Sequence, residues 1–392
     1  MIAKTIFEQV LSKIRHGSVA ITYPDGKTKQ FGEGTPTYTL TIHDEAVIGD
    51  IIKRFDLAFG EAYMQGRVSV DNLDELLRVT YLNERDFKKT FGKKLGYHFA
   101  RNIRGKQAEQ IKSHYDLGND FYKLWLDDTM TYTCAYFKKP TDTLEQAQHQ
   151  KIDHVLRKLQ LQEDQEFIDL GCGWGHLVIR AAKQYGAKGT GITLSREQYE
   201  YAKALAKREK VDHLVTFEHM NYQDAVRLGK QYERVVSVGM LEHVGRGNHK
   251  QYFDAVDALL LPGGISVLHS ITQQVEDPMP AWIDKYIFPG GYVPSVREIV
   301  HFLPEYDFHI TDYESLRMHY ARTLDEWTNR FEKNIEAVRK LSYDEEFIRM
   351  WRLYLRGSAA SFRYGSFDLS QFVFTKGLRN DLPLTREALY KK

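Results

Sequence analysis

One stretch, Phe167-Ile168-Asp169-Leu170-Gly171-Cys172-Gly173-Trp174-Gly175, limits the fold more than any other part of this chain. A short apolar run ends in an acid and passes directly into alternating glycines. Leu177, Val178, Ala181, Ala182 and Tyr185 follow at helical spacing, with Gly186 placed as the C-cap. Strand, glycine turn and helix in this order open a doubly wound, Rossmann-like α/β sheet. The glycines let backbone bend sharply and approach a ligand closely. The pattern is G-x-G-x-G, whereas a dinucleotide site wants a glycine where this chain has His176. With no pyrophosphate to cradle, the loop suits S-adenosylmethionine better than NAD. Asp169, Gly171, Gly173 and Gly175 are the expected cofactor residues here.

The elements that follow extend the same sheet. A second strand is expected at 189–194, ending where an acid commonly binds a ribose. This chain offers Thr193, Leu194 and Ser195 there, with Gln198 one helical turn on. Ser195-Arg196-Glu197-Gln198 also reads as a capping box, and a capped helix start can serve both roles. A third strand, 215–221, ends at Asn221-Tyr222, placed to bracket an adenine. Residues 234–240 read as a buried parallel strand whose carboxyl end leads to Glu242, and ligands bind beyond such ends. A further strand at 264–270 puts His269 and Ile271 on one side by the two-residue period.

The 392 residues allow two or three domains. Residues 1–84 read as a small α+β accessory domain with no catalytic constellation. It has a helix near Ile6–Ile14, a run from Ser18 to Tyr23, a turn at Pro24-Asp25-Gly26 and an alternating strand at 37–42. A helix capped by Asp71 then carries Leu73, Leu76, Leu77 and Tyr81 on one face. Residues 85–112 hold nine Lys or Arg against Asp86 and Glu109, with Phe87, Phe91, Tyr97 and Phe99 among them. Basic charge interleaved with aromatics favours lipid headgroups over an acyl layer. The composition also suits single-stranded nucleic acid or a solvated linker. A net charge of +1 argues against a polyanion binder, so no nucleic-acid partner is expected.

No apolar run approaches the ~18 residues of a spanning helix. MIAKTIFEQVLSKIRHG lacks the continuous apolar stretch of a secretory signal. Cys134 and Cys172 cannot build a disulfide framework, which points to a reducing cytosol. No cysteine or histidine spacing suggests a metal. The stretch from His114 to Phe137 is aromatic and glycine-punctuated. It reads either as a packed helical lid or as a cover over the cofactor and one wall of a substrate channel, with Tyr132 and Thr133 at the cofactor.

Taken in order, YTCAYF, DLGCGWG, GITLSREQ, SVGMLEHVG, LHSI, KYIFPGG and the region around His319-Tyr320 resemble the cyclopropane fatty acid synthases. The mycolic acid cyclopropane synthases are close relatives of that catalytic part. The resemblance runs from about Ile111 to Gly377, and it places a methyltransferase catalytic domain at 113–392. It implies methyl transfer from S-adenosylmethionine to a cis alkene in the unsaturated acyl chain of a membrane phospholipid, then proton loss and ring closure. It also implies bicarbonate as base, held by Cys134, Glu242, His269, Tyr320 and the backbone of Ile271. Cys134, Glu242, His269 and Tyr320 are then the catalytic residues. A cytoplasmic enzyme on the inner face of the bilayer, and a homodimer, are what the family implies. The alternatives are a lipid methyltransferase that leaves a methyl branch, a small-molecule or amine methyltransferase, and a lipid-binding protein regulated by S-adenosylmethionine.

Overall fold

The computed structural model describes residues 2–91 and 117–390. The chain divides into two units. One comprises Met1–Ala100, Pro278–Pro289 and Leu324–Ser366; the other comprises Arg101–Asp277, Gly290–Thr323 and Phe367–Lys392. The expected catalytic domain was contiguous over 113–392. In this division two of its segments cluster with the N-terminal residues, because the helix Glu345–Tyr364 packs on the helices Ala46–Met64 and Leu73–Phe91.

The first unit contains a four-stranded sheet in the order β2-β1-β3-β4, from β1 (Ser18–Thr22), β2 (Thr28–Gly32), β3 (Tyr38–Ile42) and β4 (Val68–Val70). The Pro-Asp-Gly turn joins β1 to antiparallel β2, as its residue types dictate. Alternation decides which side is buried: Val19 and Ile21 of β1 have no exposure. Asp71 does not cap the next helix. Its Oδ1 accepts from the Thr39 N–H at 2.7 Å, tying the end of β4 to β3, and Asn72 accepts from the Glu75 N–H instead. That helix runs on to Phe91 and buries Phe87. The expected break at 84 is therefore helical, and the rest of the basic segment, from 92, lies outside the described residues.

The second unit is built on a seven-stranded sheet in the order β10-β11-β9-β8-β5-β6-β7. Its strands are β5 (Glu166–Leu170), β6 (Lys188–Thr193), β7 (Val215–His219), β8 (Tyr232–Val238), β9 (Leu260–Gln273), β10 (Phe308–Ser315) and β11 (Phe367–Lys376). The five strands β5 to β9 pair in parallel, and β11 and β10 close one edge antiparallel. Helices cover both faces. Val178, Ala182 and Leu205 pack with Phe217 on one side; Phe253, Val256 and Leu259 pack with Ile168, Leu170 and Leu268 on the other. The winding reverses at β5, between β6 and β8. That reversal opens a crevice at the strands' carboxyl ends, and the glycine loop enters it. Among the described residues no helix is long and apolar enough to cross a membrane, and no cluster of His, Cys, Asp or Glu could hold a metal.

Candidate active site

The glycine loop leaves β5 with Gly173 at φ 54° and Gly175 at φ 86°, in the left-handed region. The two glycines serve different ends. A Cβ on Gly173 would meet nothing within 4 Å and would project into a cavity. A Cβ on Gly175 would collide with Phe217 and Ala202 at 2.7 and 2.8 Å, so Gly175 lets the following helix pack and does not line the cavity.

The cavity is lined by Tyr132, Thr133, Asp169, Gly171 and Gly173 on one side and by Thr193, Leu194, Gln198, Asn221 and Tyr222 on the other. These are expected cofactor residues. Ser195 is not among the lining residues: its hydroxyl accepts from the Gln198 N–H as a helix cap. The reciprocal half of the capping box is absent. The Gln198 side chain turns instead to Thr193, whose hydroxyl donates to Gln198 Oε1 at 2.7 Å. Asn221 does both jobs, lining the cavity while capping the helix Tyr222–Arg227.

An aromatic wall stands over the loop. Tyr122, Trp125, Tyr132 and Trp174 meet at centroid distances of 5.2 to 5.6 Å, two pairs edge to face and two tilted. Trp174 is pinned by its Nε1–H donating to Asn119 at 2.8 Å. A wall of ring faces suits a sulfonium ligand and excludes water. The next turn is shaped by Asp127, which accepts from the N–H groups of Thr129 and Thr131 and sets Met130 at φ 53°.

Sequence reasoning missed the helix Leu144–Leu159. Gln148, fully buried, donates to the carbonyls of Thr131 and Thr133 at 3.2 and 2.8 Å. Lys151 donates to the Thr133 hydroxyl at 2.8 Å and lines the cavity. The readable signal was a polar stripe, Gln148, Lys151, His154 and Lys158, at helical spacing beside the apolar one. Burial pulls the Lys151 ammonium down to about 8 and pushes the Asp169 carboxyl up to about 7.

The residues expected around bicarbonate do not line this cavity, but three of them adjoin its lining. Cys134 follows Thr133, Glu242 precedes His243, and the His269 carbonyl accepts from the Gly239 N–H at 2.8 Å. Glu242 Oε1 accepts from the Ile271 N–H at 2.5 Å, so that backbone group, expected to hold the anion, is spent on the glutamate. Glu242 Oε2 is buried with no hydrogen-bond partner among the described residues, and burial raises this carboxyl to about 7, against the Ile271 N–H and the nearby Ser270 hydroxyl, which favour its charged form. His269 is fully buried and held well below its ordinary range by burial, so it is neutral. Its Nδ1 accepts from the Gln371 amide at 2.9 Å, which leaves the ring proton on Nε2, an atom with no partner. The Cys134 thiol, buried and pushed up, stays protonated and sits 4.0 Å from the Leu316 carbonyl. That carbonyl also accepts from the Tyr320 N–H, so Cys134 and the Tyr320 turn share an anchor. Tyr136 stacks between His154 and His319 at 4.3 and 4.8 Å and helps hold the irregular segment that carries Thr133 and Cys134.

Comparison with known proteins agrees with this geometry. A family model described as mycolic acid cyclopropane synthetase matches residues 103–372, and one described as a domain of unknown function matches 6–91. A probable fatty acid methyltransferase of Pseudomonas putida is 36% identical over 378 residues, covering 94% of this chain and 95% of that protein. The cyclopropane-fatty-acyl-phospholipid synthase of Escherichia coli K12 is 38% identical over 345 residues, covering 86% and 87%. The structure of mycolic acid cyclopropane synthase CmaA1 complexed with SAH and CTAB aligns with a TM-score of 0.64 at 33% identity, covering 69% of this chain and 98% of that one. Fold, loop and matches converge: the chain belongs to the mycolic acid cyclopropane synthetase family and is an S-adenosylmethionine-dependent methyltransferase.

Proposed function

We propose that this protein adds a methylene across the cis double bond of unsaturated acyl chains in membrane phospholipids, forming a cyclopropane ring. S-adenosylmethionine supplies the electrophilic methyl when bound, and bicarbonate supplies a proton acceptor. An alkene that takes up a methyl becomes a carbocation, and loss of a proton from the new methyl closes the ring. The chain must therefore align two reactants, exclude water and position a base.

The observation that carries this reading is two buried atoms with no hydrogen-bond partner among the described residues, Glu242 Oε2 and His269 Nε2, on residues that adjoin the cavity lining. Burying such groups unpaired costs free energy, and a small anion that both accepts and donates satisfies them. Were bicarbonate bound there, His269 Nε2–H would donate to an anionic oxygen and Glu242 would accept the anion's own proton. Cys134 and Tyr320 complete the enclosure. The residues present thus fit bicarbonate, with Glu242 and His269 as its principal holders. The aromatic wall of Tyr132 and Trp174 keeps the cation away from water. The basic segment 85–112 is the element we assign to the membrane surface, with the enzyme acting at the inner face of the bilayer.

The test is transfer of label from methyl-labelled S-adenosylmethionine to vesicle lipid by the full chain. Label should enter phospholipid with cis-unsaturated chains and not its saturated counterpart. Equal labelling of both, or labelling of the headgroup alone, would contradict the reading. A probable fatty acid methyltransferase among the relatives favours one second reading, transfer that stops at a methyl branch. The intact proton-accepting set argues for ring closure.

A further inference from the structure

The buried polar stripe on the helix Leu144–Leu159 is matched at all but one position. Gln148, Lys151, His154 and Lys158 are each no more than 2% exposed. His154 and Lys158 both meet Glu314 at 2.6 Å, and Lys158 also meets Asp312 at 3.3 Å. Gln148 serves two carbonyls. Lys151 differs. Its ammonium donates to one neutral oxygen, Thr133 Oγ1, and makes no ion pair within 4 Å among the described residues, the Asp127 and Asp169 carboxylates acting on it only from farther off, although a buried charge is ordinarily paired closely. Two of its three N–H groups are left for another acceptor. Across the same cavity Asp169 Oδ1 is likewise buried without a partner.

An ammonium and a carboxylate, both buried and both short of partners, face one cavity. The complementary ligand carries an anion and a cation a few bonds apart, as the amino-acid end of S-adenosylmethionine does. Thr133, whose hydroxyl oxygen accepts from Lys151, lines the same cavity and keeps its own proton to donate.

We propose that Lys151 is the anchor for the α-carboxylate of the cofactor, binding it together with the Thr133 hydroxyl. This rests on the reading of the cavity as the S-adenosylmethionine site. Burial displaces Lys151 downward even with the Asp127 and Asp169 charges near it, and a carboxylate in direct contact supplies the close counter-charge that it lacks.

Calorimetry on the full chain separates the possibilities. The probes are S-adenosylhomocysteine, its decarboxylated analogue and methylthioadenosine, which lacks the amino-acid end. Wild type should prefer S-adenosylhomocysteine over the decarboxylated analogue by about 10- to 100-fold, the worth of a charge-assisted hydrogen bond. Lys151→Gln should lose that preference and bind the two alike. Methylthioadenosine should bind both proteins within about twofold, which certifies a folded pocket. Lys151→Met, nearly isosteric and free of buried charge, is the second variant should the first not fold. Loss of affinity by the same factor for both homocysteine probes would mean that Lys151 only props Thr133, and would overturn the proposal. So would an undiminished preference in either variant. A wild type that binds none of the three probes would instead overturn the cofactor reading.

Discussion

Glu242 shows how a single residue bears on both chemistry and stability. Its carboxyl is fully buried, holds the Ile271 N–H with one oxygen and leaves the other free. Glu242→Gln keeps the shape and removes the acceptor. Cyclopropane formation should fall by about 10²- to 10⁴-fold, the usual worth of general-base function. Affinity for S-adenosylhomocysteine should change little, because Glu242 does not line that cavity. Gas chromatography with calorimetry checks both, and near-normal cyclopropane yield would leave Glu242 only its structural bond to the Ile271 N–H. The same substitution should stabilise the fold in a pH-dependent way. The folded pKa, about 7, lies above the ordinary 4.5, so the folded state binds more protons than the unfolded one between those values. Wild-type stability therefore falls as pH rises through that window. Relative to wild type, Glu242→Gln should gain nothing near pH 4.5 and on the order of 3 kcal/mol above pH 7. Urea unfolding at pH 5 and pH 8 reads the difference, and an equal gain at both would contradict it. Glu242 and the glycine loop were legible because the motif is local: strand, turn and acid are contiguous. Lys151 was not, since a lysine in LEQAQHQKIDHVLRKL reads as solvent-facing until Thr133 and Asp169 are brought to it by the sheet. Gly175 and Ser195 erred the other way, because close packing and capping demand the same residue types as ligand contact.

Among elements, the helix Leu144–Leu159 holds the cavity rim. Its start is fixed by a full capping box between Thr143 and Gln146. Gln148 then ties down the Thr131–Thr133 backbone. Gln148→Leu fills the space but leaves those carbonyls without their donor. A loss of about 1–3 kcal/mol in unfolding free energy is expected, with a several-fold rise in KM for S-adenosylmethionine. Thermal unfolding and steady-state kinetics check it; a lowered Tm with unchanged KM would show that the rim keeps its place without Gln148. The parallel strands were legible from their apolar runs to within two residues at most ends. Three features were not. β9 begins at Leu260, four residues before its expected start, because the strand carries Pro262 and Gly263 through a register shift against β8. β10 and β11 were unseen: HITDYES lies at an exposed edge and lacks the apolar alternation that marks a half-buried strand, and Ser370, Gln371 and Thr375 interrupt the apolar run of β11.

For the whole molecule, the doubly wound sheet was readable from order alone, but the division into units was not. Residues 278–289 and 324–366 join the N-terminal residues through contacts far apart in sequence, which no local pattern announces. The basic segment remains our assignment for the membrane surface. Reversing Lys88, Lys89, Lys93 and Lys94 to Glu should weaken binding to anionic vesicles, since each basic residue near such a surface contributes ~1 kcal/mol, and the difference should shrink in high salt. Identical sedimentation with vesicles at low salt would make the segment a plain linker. Ring closure as the end of methyl transfer to lipid, as proposed above, is read by incubating the full chain with S-adenosylmethionine and cis-unsaturated phospholipid vesicles, then analysing the acyl chains by mass spectrometry and proton NMR. The chains should gain one CH2 unit and lose their olefinic protons. Chains that gain one CH2 unit but keep an alkene, or that gain a methyl branch with two further hydrogens, would contradict it.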